Sequence, residues 1–266
     1  VIAIIGAGKM GEALVSGLLR AGQRPEDVLV TERYADRARM LEERYGVRAV
    51  SNVEAAQKAE TLLLAVKPQD MSALLDEIGS AVSPDRLVVS IAAGITTTFI
   101  ERRLPEGTPV VRVMSNTPVF VDEAMSAVSP GSHATDEHLS RTEAMLRPVG
   151  KVIRVPESQQ DAVTALSGSG PAYFFYLVEA MTDAGILLGL PRAVAYDLIV
   201  QTAIGSATML RDSGEHPVKL REAVTSPAGT TISAIRELEN HGVRAALLAA
   251  LEAARDRSRQ LASGQE

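Results

Sequence analysis

The chain opens on an apolar run, Val1-Ile2-Ala3-Ile4-Ile5, that passes without a spacer into Gly6-Ala7-Gly8-Lys9-Met10-Gly11. Few features restrict a fold more. The three glycines have separate physical tasks. Gly6 permits the tight strand-to-helix turn, Gly8 lets backbone approach a pyrophosphate, and Gly11 allows the helix to pack closely on the strand. The amphipathic stretch that follows would present unpaired N–H groups and the positive end of a helix dipole to that anion. A glycine pattern alone says little, but one placed between a strand and a helix predicts dinucleotide binding.

The alternation continues. Val1–Ile5, Val28–Thr31, Thr61–Val66, Leu87–Ile91 and Val110–Val113 are short runs rich in Val, Ile and Leu, as expected of strands covered on both faces. Helical patterns fall between them at Lys9–Ala21, Ala35–Tyr45, Gln69–Ala81 and Thr97–Leu104. A further pair, Ala124–Val128 and Val152–Val155, flanks a helix at Asp136–Leu146 and is expected to extend the sheet. Strand and helix in alternation predict a doubly wound α/β fold. After Pro156 only helices are predicted, at Ala172–Leu188, Arg192–Ser213, Thr231–Asn240 and Val243–Leu261, with Pro171 and Pro191 at first turns and Gly189, Gly214 and Gly242 near ends. Two domains follow, 1–156 and 157–266. The first two of these helices are apolar on more than one face, which about 110 residues of helix cannot bury alone, so a dimer through this half is expected.

The formal net charge of −6 gives no basic footprint for nucleic acid. Cysteine is absent, which removes disulfides and thiolate chemistry and fits a reducing cytoplasm. The four histidines have no metal-binding spacing, so no metal is expected. No signal peptide is visible and no apolar run reaches the roughly 18 residues of a membrane span, so no membrane association is expected.

Candidate chemistry gathers at strand ends, where open α/β sheets bind ligands. Val30-Thr31-Glu32-Arg33 ends the second strand: Glu32 suits a ribose 2′-hydroxyl and NADH, whereas Arg33 suits a 2′-phosphate and NADPH. The permanently charged fork of Arg33 tips this reading towards NADPH, with NADH as the alternative. Lys67 in Ala65-Val66-Lys67-Pro68-Gln69 stands at another strand edge, Ser90-Ile91-Ala92-Ala93-Gly94 offers small residues to a flat cofactor, and Asn116 is placed to present its amide to nicotinamide or substrate, or to serve as a turn residue before Pro118. Ser167-Gly168-Ser169-Gly170 lacks the first glycine of a serine-nucleophile elbow and reads as a helix start. The loop Val224–Thr231 opens a helix, either as a site for a small carboxylate or as a threonine N-cap.

Together these segments resemble the pyrroline-5-carboxylate reductases over essentially the whole chain. The likeness is strongest in Asp161–Tyr173, Gly214-Glu215-His216-Pro217 and Val224–Thr231. It implies reduction of the C=N bond of Δ1-pyrroline-5-carboxylate to L-proline by NAD(P)H, the last step of proline synthesis. It further implies a Rossmann domain, a helical domain that interlocks in a homodimer, and five dimers assembling into a decamer. Carried over by residue, the cofactor would contact Gly6, Ala7, Gly8, Lys9, Met10, Arg33, Asn52, Ala65, Val66, Lys67, Pro68, Ala92 and Ala93. The substrate carboxylate would take the N–H groups of Thr230 and Thr231, the Thr231 hydroxyl would meet the ring nitrogen, and Glu157 would lie on the substrate side. The family usually has glycine where this chain has Ala228, and proline where it has Ser115. Alanine tolerates positive φ poorly, and Ser115 is expected to leave its turn looser. The rivals are a β-hydroxyacid dehydrogenase or imine reductase, for which no lysine stands in a central helix of the second half, and a non-catalytic nucleotide sensor, which has no need of a carboxylate loop.

Overall fold

The structure, a computed structural model, describes residues 1–263. Its strands are β1 (Ile2–Ile5), β2 (Val28–Thr31), β3 (Arg48–Ala49), β4 (Thr61–Leu64), β5 (Leu87–Ser90), β6 (Val110–Met114), β7 (Ala124–Pro130) and β8 (Gly150–Arg154). They form one sheet in the order β3-β2-β1-β4-β5-β6-β7-β8, parallel except where β6 meets β7. Helices α1 (Lys9–Arg20), α2 (Ala35–Tyr45), α3 (Asn52–Lys58), α4 (Met71–Ile78), α5 (Thr97–Glu101) and α6 (Asp136–Leu146) connect them.

β1, β2, β4 and β5 are each buried almost throughout because helices cover both faces, and alternate residues divide between two apolar cores. Ile4, Val30, Leu63 and Val89 join Leu14, Val15 and Leu146 on one side. Ile5, Leu62, Leu64 and Val88 join Leu74, Leu75 and Ile78 on the other. Strand order reverses between β1 and β4, so the carboxyl ends of these two strands open the crevice where such sheets take ligands.

Beyond the sheet come α7 (Gln160–Val163), a π-turn at Thr164–Gly168, α8 (Gly170–Leu187), α9 (Arg192–Ser213), α10 (Pro217–Ala223), α11 (Thr230–Asn240) and α12 (Val243–Ser263). The chain divides into two compact units. One holds residues 1–170 and the described end of the chain from Ala253, the other Pro171–Glu252. The division falls later than the sequence boundary at 156/157 because the segment after Pro156 is bonded into the first unit. The fully buried Gln160 donates through Nε2 to the Ala127 carbonyl at 3.2 Å and to Ser129 Oγ at 2.7 Å. The end of α12 stays there too, Ser258 donating to Asp161 at 2.7 Å.

In the second unit, Gly189, Gly214 and Gly242 all take positive φ, closing α8, α9 and the α11–α12 turn as left-handed caps. Only Thr182 and Ala195 are buried among its residues, while Phe174, Phe175, Tyr176, Leu187 and Leu188 are each at least 66% exposed. Natural proteins do not leave so much apolar surface to water without a partner. α9 is long and apolar enough to cross a membrane by length and composition, although polar residues such as Gln201 and Thr202 interrupt its apolar run.

Candidate active site

The first turn after β1 is built as its three glycines require. Gly6 has φ +84°, and a Cβ there would lie 2.8 Å from Val66 Cγ1 and 3.0 Å from the Val66 nitrogen. Its conformation and the close approach of the chain after β4 both demand glycine. A Cβ on Gly11 would stand 2.9 Å from the Gly6 carbonyl oxygen and 3.2 Å from Ile4 Cγ2, so here helix–strand packing is the reason. At Gly8 a Cβ would meet nothing within 4 Å. No protein atom needs this glycine to be bare; the space above it is a cradle of the kind a pyrophosphate fills. Gly8 is also the N-cap of α1 and supplies no side chain, leaving the first N–H groups of the helix, at Lys9, Met10 and Gly11, without a capping partner. Thr31 anchors the turn from β2, its carbonyl accepting from Gly6 N at 3.2 Å and Ala7 N at 2.9 Å.

The other strand ends lie in register with this turn. Ala65 N donates to the Ile5 carbonyl at 2.8 Å, so Ala65-Val66-Lys67-Pro68 runs beside Gly6 across the crevice. Ile91 N donates to the Leu64 carbonyl at 3.1 Å, which sets the loop with Ala92 and Ala93 on the far side of β4. Lys9, Arg33 and Lys67 are exposed, and their side chains form no ion pair or hydrogen bond with other described residues. Three free cations along one sheet edge, beside open helix N–H groups, suit a polyanionic dinucleotide. Glu32, at the end of β2, is not free. Its side chain is 9% exposed, lies 3.5 Å from Arg37 Nε and accepts from Tyr34 N at 3.3 Å. Arg37 also donates to the Ala7 carbonyl at 3.2 Å and to Glu12 at 2.9 Å. Glu12 further accepts from Arg44 and from the Tyr45 hydroxyl, and burial with that hydrogen bond raises the Tyr45 pKa above its ordinary value.

Three proposed contacts have partners within the protein. Asn52 begins α3, and its amide donates to Glu77 at 2.9 Å. Asn116 donates to the Ser167 carbonyl at 3.1 Å and accepts from Met125 N at 2.9 Å, so both ends of its amide tie the β6 end to β7 and to the π-turn, the turn-residue alternative. Glu157 accepts from Thr97 N at 2.8 Å, from the Thr97 hydroxyl at 2.6 Å and from Arg112 at 3.2 Å. Arg112 is itself only 5% exposed. The carboxylate thereby fixes the start of α5, three residues beyond the Ala92–Gly94 loop. Ser115 differs from its expectation: its hydroxyl hydrogen-bonds Ser126 at 2.9 Å and pins the turn that a proline would otherwise stiffen.

Described by itself, the second unit carries the other candidate site. α11 starts at Thr230 with Gly229, not a threonine, as N-cap, and no side chain caps it. The first intrahelical bond returns from Ser233 N to the Gly229 carbonyl at 3.4 Å. The N–H groups of Thr230, Thr231 and Ile232 therefore have no acceptor within the helix, and the Thr231 hydroxyl has no partner among the described residues. Of the two sequence alternatives for this loop, the threonine cap is absent. Ala228, just before it, sits at φ +55°, one of two non-glycine residues in that region among those described.

A reductase from Corynebacterium melassecola, named pyrroline-5-carboxylate reductase, is 46% identical over 98% of this chain and 98% of its own length. The chain belongs to the pyrroline-5-carboxylate reductase family. Residues 157–261 match the family model described as pyrroline-5-carboxylate reductase dimerisation, and residues 1–94 match one described as NADP oxidoreductase, coenzyme F420-dependent. A solved pyrroline-5-carboxylate reductase from Coxiella burnetii superposes with TM-score 0.93 at 36% identity, covering 98% of this chain and 97% of that one. The Plasmodium falciparum enzyme, solved with NADP bound, gives 0.87 at 27% identity over 98% and 97%. Members of this family are NAD(P)-dependent oxidoreductases of proline biosynthesis, and the dimerisation match falls on the helices whose apolar faces are exposed here. What the sequence did not indicate is the Glu12–Arg37–Glu32 network. Glu12 stands 20 residues from Glu32 and 25 from Arg37, and only the fold brings it to the other two.

Proposed function

We propose that this reductase converts Δ1-pyrroline-5-carboxylate to L-proline with NADPH, using Gly6–Met10, Arg33, Ala65–Pro68 and Ala92–Ala93 for the cofactor and Thr230–Thr231 for the substrate. The observation that carries the reading is the uncapped start of α11, where backbone donors with no acceptor stand beside a free threonine hydroxyl. A small carboxylate satisfies such donors, and the helix dipole favours its charge.

When bound, the reduced nicotinamide supplies a hydride to the imine carbon. The protein's part is placement. The open N–H groups of α1 and the bare Gly8 hold the pyrophosphate, and Arg33 pairs the 2′-phosphate. Ala92 and Ala93 give a flat backbone floor. Thr230 and Thr231 fix the carboxylate through their N–H groups, and the Thr231 hydroxyl orients the ring nitrogen while water completes proton delivery. Fixing two reactants is worth roughly 7–11 kcal/mol in favourable cases, which explains why no histidine or cysteine is needed. Asn52, Asn116 and Glu157 hold the surrounding loops, with cofactor or substrate contact at their outer edges.

The NADP-bound Plasmodium relative supports NADPH as the cofactor, with NADH as the alternative. The helical half of the sequence after residue 156 would bind substrate and form the homodimer, five dimers making a decamer in the cytoplasm. No nucleic acid, membrane or metal enters this reading; the apolar length of α9 is assigned to the subunit interface. Thr231→Ala tests the assignment: kcat should fall by about tenfold, the net worth of one hydrogen bond, with NADPH binding retained. An unchanged kcat removes Thr231 from the site.

A further inference from the structure

Glu32 presents a puzzle for a protein that takes NADPH. An acidic residue at the end of the second strand ordinarily holds the ribose 2′-hydroxyl and repels a 2′-phosphate. Here that carboxylate is nearly buried and drawn back: one oxygen accepts from Tyr34 N, and the other faces the Arg37 guanidinium at 3.5 Å. Arg37 reaches it from the first turn of α2 and is held there at two further points, the Ala7 carbonyl of the glycine turn and Glu12 of α1. Glu12 is in turn fixed by Arg44 and Tyr45. The guanidinium is thus bound between the carboxylate and the turn itself, while the neighbouring Arg33 makes no bond to any described residue.

We propose that Arg37 is a specificity-determining positioning residue: by neutralising and retaining Glu32, it leaves Arg33 to set the local field and admits the 2′-phosphate. This rests on the reading that the chain prefers NADPH. Arg37 acts through Glu32 and not as a phosphate ligand. Its fork is already committed to the Ala7 carbonyl, Glu12 and Glu32. Releasing Glu32 would place a free carboxylate within reach of the adenosine ribose, which suits two hydroxyls and opposes a phosphate. The electrostatic sense is unambiguous. Arg37 and Glu32 sum to zero, whereas Glu32 without Arg37 cancels the charge of Arg33.

Binding of 2′,5′-ADP and of 5′-ADP to the full-length protein, measured by titration calorimetry, isolates this end of the cofactor from turnover. Arg37→Met should weaken 2′,5′-ADP by about tenfold or more while leaving 5′-ADP within about twofold, since one like charge is exposed to the phosphate. Adding Glu32→Gln to Arg37→Met should restore most of the lost affinity. Arg37→Lys, which keeps the charge without the fork, should retain the wild-type discrimination. Equal loss for both ligands in Arg37→Met and Arg37→Lys alike means that the arginine only holds the turn, and overturns the proposal while the NADPH reading stands. Loss confined to 2′,5′-ADP without recovery in the double variant also overturns it, because Arg37 then touches the phosphate directly. Wild-type protein that binds the two ligands equally overturns the NADPH reading and this inference with it.

Discussion

Gly8→Ala separates ligand binding from folding at a single atom. The added Cβ has no protein atom within 4 Å, and Gly8 already has φ −62° in an extended conformation that alanine adopts. Folding should therefore be unharmed, and the narrower unfolded ensemble of alanine should add about 0.4–1 kcal/mol to stability. The methyl group does enter the space where backbone must approach the pyrophosphate. Displacing that group from two of the open N–H donors of α1 forfeits about 1.5 kcal/mol for each charge-assisted bond, or about 3 kcal/mol. That corresponds to a roughly 150-fold rise in the Kd for NADPH. Titration calorimetry with NADPH gives the affinity, and thermal denaturation of the ligand-free protein gives the stability. Gly6→Ala is the contrasting control. Left-handed strain of about 1–2 kcal/mol, together with contact against Val66, should destabilise the fold itself. Unchanged NADPH affinity in Gly8→Ala would refute the assignment of the cradle, as would an unfolding cost equal to that of Gly6→Ala.

Other perturbations test the surrounding structure. Ala228→Gly should relieve left-handed strain of about 1 kcal/mol, partly offset by glycine's greater freedom when unfolded, so Tm should rise slightly or stay level; a marked fall would show that Ala228 is not strained. Glu157→Ala leaves the buried Arg112 and the start of α5 without their carboxylate and should cost about 3 kcal/mol in urea denaturation. An effect on substrate KM with stability unchanged would instead make Glu157 a contact residue. Charged substitutions at Phe174 and Leu187 should shift the dimer to monomer on sizing chromatography, because the chain leaves most of both side chains exposed.

The sheet was legible because buried parallel strands must be continuously apolar. β2, α2, α6 and α9 begin and end where the sequence pattern places them. What escaped has identifiable causes. β3 has two residues, one of them a charged arginine at the sheet edge, and gives no apolar run. α3 is seven residues long, too short for periodicity, although Ser51-Asn52-Val53-Glu54 is a capping pattern that announces it; Ser51 Oγ accepts from Glu54 N at 3.1 Å. α10 likewise begins behind a local signal, with His216 capping and Pro217 in the first position. The π-turn at Thr164–Gly168 has no sequence signature of its own; Gly168 packing on Met114 and the Asn116 bond to Ser167 come from the sheet.

The candidate site divides the same way. The glycine turn could be read atom by atom, because each glycine answers a local need. Residues with side-chain amides or carboxylates were harder, since Asn116 and Glu157 look identical in sequence whether they face a ligand or a neighbouring strand. Their partners lie 9 to 60 residues away. Ala228 was the converse case. A departure from the family's glycine pointed to positive φ, and the chain adopts that conformation with alanine in place.

The reaction proposed for this chain delivers reducing equivalents from NADPH to a cyclic imine held by its carboxylate. Incubating the purified protein with NADPH and Δ1-pyrroline-5-carboxylate, and measuring NADPH consumed against L-proline formed, tests it directly. Equal amounts of the two are expected, with NADH giving slower turnover. NADPH that is bound but not consumed, or consumed without L-proline appearing, would contradict it.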